Sequence, residues 1–229
     1  QEEYSECLLK FEFLTRREEN FQLLESILWK DGYCLLPLHL ERMESSAEYF
    51  GFNFDRGTIL EALEVISKQL AYGMRTKVRV LLERTGAVKI THAPVEIDRT
   101  SGIVAISTFR VSSSDRFLRH KTTLRQLYDE QYQQALQQGY DEVLFLNERV
   151  EVTEGAISNV FIEKDGQWLT PPVECGLLPG IYRRHLLETN PTATERILHL
   201  NDLASADAIY ICNSVRGCRR VTLLSVSQF

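Results

Sequence analysis

The sequence lacks the patterns of several common functional classes. Its 229 residues include five cysteines, an odd number, without a Cys-x-x-Cys pair or a Cys/His spacing that would bind structural zinc. A G-x-G-x-x-G sequence and a Walker loop are also missing, which excludes the common nucleotide-binding loops. No apolar run approaches the roughly 18 residues that cross a bilayer, and no signal peptide is visible. We therefore expect a cytoplasmic protein with reduced thiols, no metal site and no membrane contact.

Positive charge is also scarce. Lys and Arg number 26 against 32 Asp and Glu, which gives a net charge of -6 and an isoelectric point near 5.5. A nucleic-acid-binding protein would show a basic surface, so this balance argues against one. The 44% hydrophobic and 25% charged residues are ordinary for a globular enzyme, and the length is sufficient for one large domain or two small ones.

The N-terminal part reads as a small α+β lobe over residues 10–102, preceded by a polar, acidic tail or linker over residues 1–9. Alternating apolar residues predict strands, and apolar residues at helical spacing predict helices. The predicted elements are a strand Phe21–Trp29 returning as a hairpin over Tyr33–Leu36, a helix from Pro37 to Gly51, a helix from Asp55 to about Leu70, and strands Lys77–Glu83 and Val88–Pro94.

Residues 103–229 read as a second lobe that is richer in strands. Asp165-Gly166 predicts a type I′ hairpin between two of them. The predicted elements are strands Ile103–Phe109, Glu142–Leu146, Val150–Val152, Asn159–Glu163, Gln167–Leu169 and Ala208–Cys212, with a helix from about Thr122 to Gln138 and another opened by Pro179-Gly180. A cleft between two such lobes is a favoured place for a ligand.

Two features of the segment Val150–Arg184 point toward a phosphorylated heterocycle. Pro179-Gly180-Ile181-Tyr182 opens a helix, and the first amides of a helix suit a phosphate, although most such turns bind nothing. Glu154 lies in a Gly-containing turn after a strand, where its carboxylate could face a pyridine nitrogen or only solvent.

Lys121 and Arg42 are candidate partners for the same ligand. Lys121 follows Arg116 and Arg119 and precedes Arg125; nearby cations would lower its pKa and suit it to Schiff-base formation, while a solvated lysine is the simpler interpretation. Arg42 projects away from the apolar stripe of its helix, so its guanidinium meets either solvent or a phosphate in the cleft.

Taken together, these segments resemble the fold-type IV pyridoxal-phosphate enzymes, which include branched-chain aminotransferase, D-amino-acid aminotransferase and aminodeoxychorismate lyase. The motifs that carry the resemblance are L-H-L-E-R, E-V-T-E-G-A-I-S-N-V-F and L-T-P-P-V-E-C-G-L-L-P-G-I-Y-R. The resemblance implies a two-lobed α+β fold like that of D-amino-acid aminotransferase. Its small N-terminal α/β lobe precedes a larger, β-rich C-terminal lobe that binds pyridoxal 5'-phosphate.

The resemblance also implies a role for each matching residue. Lys121 matches the Schiff-base lysine, and Glu154 matches the acid on the pyridine nitrogen. The cofactor phosphate would be held by the Arg42 side chain, the Ser214 hydroxyl and the backbone amides of Ile181 and Tyr182.

Three segments resemble the lyase more than the aminotransferases: C-N-S-V-R-G at 212–217, H-K-T-T-L-R-Q-L-Y-D after Arg119, and L-L-E-S-I-L-W-K-D-G around Ser26. Ser26 falls where lyases carry a hydroxyl residue, more often threonine, near the substrate carboxylate. The implied reaction converts 4-amino-4-deoxychorismate into pyruvate and 4-aminobenzoate, a folate precursor, with Lys121 as general base and acid.

Two alternatives remain open from the sequence. One is transamination of a D-amino acid or a branched-chain amino acid at the same site, and the other is a non-catalytic domain of a fused aminodeoxychorismate synthase. The resemblance further implies a homodimer with the site near its interface, and a synthase domain fused or associated through the acidic N-terminal segment.

Overall fold

A computed structural model describes residues 20–95 and 101–224. The elements, in chain order, are β1 Leu23–Trp29, α1 Leu36–Phe50, α2 Arg56–Ser67, β2 Thr76–Leu82, β3 Val88–Pro94, β4 Ser101–Val111, α3 Gln126–Gln137, β5 Glu142–Asn147, β6 Val152–Gly155, β7 Asn159–Lys164, β8 Gln167–Thr170, α4 Ile181–Thr189, β9 Ala193–Glu195, α5 Leu200–Ala204, β10 Ala208–Asn213 and β11 Gly217–Leu223. Short 3₁₀ turns span Arg116–Arg119 and Val173–Cys175.

The small lobe is an antiparallel sheet, in the order β1-β2-β3, covered on one face by α1 and α2. Strand alternation turns Leu23 and Ile27 toward the helices, where they pack with Ile59 and Leu63 of α2. The Asp55 side chain accepts hydrogen bonds from the Gly57 and Thr58 amides, so it caps α2 at the start predicted from the sequence. The opposite face of the sheet is left to line the cleft.

The large lobe is a mixed eight-stranded sheet in the order β6-β5-β4-β11-β10-β7-β8-β9. Strand β11 pairs parallel to β4 and antiparallel to β10, so it lies inside the sheet. One face carries an aliphatic core that includes Leu144, Ile162 and Ile211, and α3 and α4 cover the other face. Asp165 and Gly166 both have positive φ, which confirms the predicted hairpin turn.

The predicted hairpin return over Tyr33–Leu36 is wrong. Tyr33 forms one isolated bridge with Trp29, and the chain then turns at Leu35, whose φ is 54°. Helix α1 begins at Leu36, because Pro37 favours the first turn of a helix and cannot continue a strand ladder as a donor.

The predicted helix start at Thr122 is wrong by four residues, since α3 begins at Gln126. The Leu24 amide donates to the Lys121 carbonyl, and the Thr123 amide donates to the Gln22 carbonyl. These bonds between the lobes hold the chain around Lys121 extended beside β1. A tertiary contact therefore overrides a local helical pattern and places Lys121 against the small lobe.

The strand predicted at Val150–Val152 is displaced toward the C-terminus. Asn147 Oδ1 accepts hydrogen bonds from the Arg149 and Glu151 amides and closes a turn, in which Val150 has a φ of 62°. Glu154 consequently lies inside β6 and not in a turn. The short elements β9 and α5 and the strand β11 were not predicted.

The α+β class predicted from the sequence is confirmed, with two sheets of different size in two lobes. The predicted tail over residues 1–9, and Cys7 with it, lies outside the described residues, and the boundary at 102/103 stays a prediction. Within residues 20–95 and 101–224, none of the helices has the length and apolar character needed to span a membrane.

Substitutions in α2 test the packing of the small lobe. Leu63 is 1% exposed, whereas Leu60 on the same helix is 41% exposed. Leu63→Ala should lower the free energy of unfolding by about 2–5 kcal/mol, because it leaves a cavity against the sheet. Leu60→Ala is the matched control and should change it by less than about 0.5 kcal/mol. Urea denaturation followed by circular dichroism measures both, and equal losses would contradict this packing.

Candidate active site

A cavity of about 540 Å³ lies between the lobes and is lined by residues of both. Its volume is in the range of pockets that hold a cofactor and a small substrate. All seven predicted site residues line this cavity: Ser26, Arg42, Lys121, Glu154, Ile181, Tyr182 and Ser214.

Arg42 lines this cavity, so of the two orientations left open by the sequence it takes the one toward the cleft. Its Nε and Nη2 atoms donate to the two carboxylate oxygens of Glu25 at 2.8 and 2.7 Å, and Nη1 donates to the Pro179 carbonyl at 3.1 Å. His39 Nδ1 lies 2.7 Å from the same carboxylate. Although burial acts to raise it, Arg42 and His39 hold the pKa of Glu25 at about 2.

Helix α4 begins next to the hydrogen bond between Arg42 and the Pro179 carbonyl. Gly180 is its N-cap, and no side chain caps the helix, which leaves the amides of Ile181 and Tyr182 without an acceptor in the part of the chain that the structure describes. A Cβ atom at Gly180 would lie well inside van der Waals contact of Asn159 Oδ1. A side chain at position 180 would therefore displace the Asn159 amide, which donates to the Leu178 carbonyl, and with glycine there the helix start remains open toward the cavity.

The loop after β10 forms the neighbouring wall. Asn213 Oδ1 accepts hydrogen bonds from the Val215 and Arg216 amides, and its Nδ2 donates to the Ile157 carbonyl. Ser214 lies at the tip of this loop and lines the cavity. Within the described ranges its hydroxyl makes no hydrogen bond, so it is available to a ligand.

Two features hold Lys121 at the cavity: the hydrogen bond from the Leu24 amide to its carbonyl, and the packing of the neighbouring His120. The His120 ring stacks on Tyr49, and its Nδ1 lies 3.0 Å from Ser46 Oγ. Burial and the nearby Arg42 and Arg125 guanidinium groups lower the pKa of Lys121 to about 8. Of the three arginines near Lys121 in sequence, Arg125 contributes to this lowering of the pKa, but Arg42, which is remote in sequence, contributes more.

Glu154 is 7% exposed and faces the cavity from β6. Burial raises the pKa of Glu154 to about 8, although the Leu178 amide, Arg125 and Lys121 act to lower it. Its carboxylate lies 3.4 Å from Asn159 Nδ2. The interpretation as a solvated turn residue is wrong, because a buried carboxyl in this position lacks the solvation that a surface glutamate has.

These groups fit a phosphorylated pyridine with an aldehyde. The uncapped helix start, the Ser214 hydroxyl and the Arg42 guanidinium all line the cavity, and Arg42 lies beside the helix start through its hydrogen bond to Pro179, so an anion there would find several donors. The amine of Lys121 and the carboxyl of Glu154 occupy other positions on its wall, and each is poorly solvated and without an ion pair among the described residues.

The sequence analysis did not identify Lys77 and Arg79, two charged residues that line the cavity. Ser26 of β1 pairs directly with Arg79 of β2, and Lys77 lies two residues before Arg79, so all three share the face of the small sheet that lines the cavity. Alternation along β2 could have identified Lys77 and Arg79, because these charged residues alternate with buried aliphatic residues. Arg125, Asn159 and Asn213 lie in or beside motifs noted in the sequence, but their hydrogen bonds at this site were not predicted.

Comparison with known proteins places this arrangement in a family. The sequence profile described as Amino-transferase class IV matches residues 22–224. A Schizosaccharomyces pombe protein named "Putative aminodeoxychorismate lyase" is 28% identical over 218 residues, which cover 90% of this chain and 91% of that protein. The crystal structure of a "Putative amino-acid aminotransferase" from Mesorhizobium loti is 37% identical, with a TM-score of 0.83 over 90% of this chain and 100% of that one.

A more distant structure shares the fold. It is "A hypothetical aminotransferase" from Mycobacterium tuberculosis in its PLP-bound form, with 23% identity and a TM-score of 0.77 over 88% of this chain and 81% of that one. The two-lobed fold-type IV architecture expected from the resemblance is therefore confirmed. Since the profile spans nearly the whole described chain and the cavity fits the cofactor of this class, the chain belongs to the class IV aminotransferase family and is a pyridoxal-phosphate-dependent enzyme.

Proposed function

We propose that the protein is a 4-amino-4-deoxychorismate lyase, which releases pyruvate and forms 4-aminobenzoate for folate biosynthesis. The observation that carries the proposal is the similarity to the Schizosaccharomyces pombe protein over about nine tenths of both chains. The lyase-like segments around Ser26, after Arg119 and at 212–217 support it, and all three contribute to the cavity.

The charge of the cavity supports an anionic substrate. Lys77, Arg79 and Arg216 line it in addition to Arg42, Lys121 and Arg125, whereas Glu154 and Asp129 are the acidic side chains of its lining. This excess of cations occurs in a protein whose net charge is -6. Aminodeoxychorismate carries two carboxylates, and a wall that presents Arg79 and Lys77 beside the Ser26 hydroxyl suits such a dianion.

We assign the cofactor contacts as follows. Arg42, Ser214 and the amides of Ile181 and Tyr182 would hold the phosphate, Glu154 would stand beside the ring nitrogen, and Lys121 would supply the amine for the aldehyde. When bound, pyridoxal phosphate supplies the electron sink that stabilises negative charge at the substrate carbon bearing the amine. Arg42 uses Nε and one Nη2 hydrogen on Glu25 and one Nη1 hydrogen on Pro179, and its remaining N–H groups are available to the phosphate.

Lys121 carries the proton transfers in this proposal. Its amine, with a pKa of about 8, is appreciably neutral near neutral pH and can accept a proton at Nζ. It takes the proton from the ring carbon that bears the substrate amine and returns a proton to the enolpyruvyl methylene as pyruvate leaves. The products then contain all atoms of the substrate, and no amino acceptor is consumed.

Glu154 holds a proton on the wall of the cavity. Because burial raises its pKa to about 8, its carboxyl has a high proton affinity. It would share that proton with a ring nitrogen beside it and so keep the ring positively charged. Tyr128, whose hydroxyl is buried next to Glu154, helps to exclude water from this pair.

An amino-acid aminotransferase is the second candidate. The Mesorhizobium loti structure, which is more similar in sequence than the lyase relative, bears an aminotransferase name, and a Thermotoga maritima branched-chain relative is 27% identical over 83% of this chain. The same Lys121 and Glu154 would serve either reaction. The third alternative, a non-catalytic domain of a fused synthase, is set aside, because the chain belongs to an enzyme family and retains Lys121, Glu154 and Arg42.

The assembly state and cellular context stay predictions. A homodimer with the site near its interface, an associated or fused aminodeoxychorismate synthase and a cytoplasmic location all come from the sequence and its resemblance. The small-molecule substrate is part of the proposal itself, since the volume of the cleft between the lobes suits a small molecule.

Replacement of Lys121 tests its assignment. In Lys121→Ala, turnover should fall by at least about 10²-fold, because the proton carrier is lost, and borohydride reduction should no longer attach the cofactor to the protein. Mass spectrometry of the reduced protein locates the label. Lys77→Ala, which removes the other lysine of the cavity lining, is the control and should retain the label on Lys121. A label on another lysine in the wild-type protein would refute the assignment.

The pH dependence of cofactor attachment tests the electrostatics. Only the neutral amine attacks the aldehyde, so the attachment rate to apo-protein should rise with pH and level off above about 8, the lowered pKa of Lys121. Removing a neighbouring cation in Arg125→Gln should move the midpoint to higher pH. Stopped-flow absorbance measures both rates, and a midpoint near the ordinary lysine value of 10.5 in the wild type would contradict the site described above.

Product analysis separates the lyase from the aminotransferase. With 4-amino-4-deoxychorismate and no 2-oxo acid, the lyase should release pyruvate and 4-aminobenzoate in equal amounts over many turnovers. An aminotransferase given this substrate would stop after one turnover, and would instead consume an amino-acid donor when a 2-oxo acid is added. Coupled lactate dehydrogenase and chromatography quantify the products. Sustained amino transfer without pyruvate would establish the second candidate.

A further inference from the structure

The turn Gly155–Ser158 joins β6, which carries Glu154, to β7, which carries Asn159. All four of its residues line the cavity. The Gly155 amide donates to the Ser158 carbonyl at 2.7 Å, which closes the turn. The conformation of this turn therefore sets both the direction of Glu154 and the shape of one wall of the pocket.

The Glu142 carboxylate lies behind this turn and is fully buried. Its Oε1 accepts hydrogen bonds from the Val143 and Ala156 amides at 3.0 Å each. Its Oε2 accepts from the Ile157 amide at 3.2 Å and from Ser158 Oγ at 2.6 Å. Burial raises the pKa of Glu142, whereas these four hydrogen bonds act to lower it and so favour the ionised carboxylate.

Close packing reinforces the contact. A Cβ atom at Gly155 would lie 2.8 Å from the Glu142 side chain, so the backbone at position 155 lies directly against the carboxylate. From the other side, Arg125 donates to the Ala156 carbonyl at 2.6 Å, and Asn213 donates to the Ile157 carbonyl at 3.2 Å. Side chains from three separate elements thus fix the peptide groups of one turn.

We propose that Glu142 is a positioning residue of the active site, whose carboxylate gathers the Gly155–Ser158 backbone and thereby holds Glu154 and this pocket wall in place. The role is indirect, since the carboxylate faces the turn and not the ligand. Its negative charge also acts to raise the pKa of Glu154, which agrees with a coupling between the two groups. The inference rests on the proposed cofactor pocket, but it is independent of whether the enzyme acts as a lyase or an aminotransferase.

Glu142→Gln is the sharpest test, because it preserves size and removes one acceptor. The Gln carbonyl can serve Val143 and Ala156, and Ser158 can accept from the new amide, but the Ile157 amide then loses its acceptor. We expect amide hydrogen exchange in the turn of the apo-protein to quicken by about tenfold or more. We also expect the dissociation constant of pyridoxal phosphate to rise by about tenfold, because the pocket wall loosens.

Glu151→Gln is the matched control. Glu151 is another buried carboxylate of the large lobe, but it accepts from Asn147 Nδ2 and Arg149 Nη2, away from the cavity. It should lower thermal stability and leave cofactor affinity and exchange in the turn unchanged. Ser158→Ala, which removes one hydrogen bond to Glu142, should give a smaller change in the same direction as Glu142→Gln, and it tests the proposal if that variant does not fold.

The outcomes are distinct. A loss of thermal stability in Glu142→Gln with unchanged exchange in the turn and unchanged cofactor affinity would overturn the positioning role. Exchange in the turn is measured without cofactor, so it tests the role of Glu142 even if the labelling of Lys121 fails and the cofactor assignment with it.

Discussion

The ion pair between Glu25 and Arg42 is the interaction on which the site depends. It is buried in the small lobe, yet Arg42 also donates to the Pro179 carbonyl of the large lobe, one residue before the N-cap of α4. A buried guanidinium is costly unless it is paired, and Glu25 supplies that pair while leaving donors unused. The same contact therefore joins the lobes, places the start of α4 and presents a cation where the phosphate is proposed to bind.

Burial explains why a basic group, Lys121, and an acidic group, Glu154, have similar pKa values. Desolvation disfavours the charged form of each, so it lowers the pKa of Lys121 and raises the pKa of Glu154, both to about 8. Neither group could be exposed to bulk water and retain this property. Both lobes are thus needed to shield Lys121 and Glu154 from bulk water, in addition to their contacts with a ligand.

Local motifs of the sequence predicted turns and helix starts correctly. Gly180 at the start of α4, Asp55 at the start of α2 and Asp165-Gly166 as a hairpin turn are all local features. Two features that the sequence analysis did not predict are set by distant contacts. The helix before Gln126 is shortened because residues 121–123 pair with β1, and the coupling of Glu142 to the turn after Glu154 joins residues more than ten positions apart. No local pattern contains that information, and the roles assigned to the site residues stay proposals until they are tested.

The position of β11 in the large sheet has a consequence for synthesis of the chain. Gly217–Leu223 lies between β4 and β10, so these two strands have no neighbour on their facing edges until the last described strand has left the ribosome. During synthesis β4 must therefore carry an unpaired strand edge, with its free amides and carbonyls, until residues 217–223 have been made. Completion of this sheet waits for a segment far beyond β4 in the sequence, whereas the β1-β2-β3 sheet uses only neighbouring segments and can form while the rest is still being made.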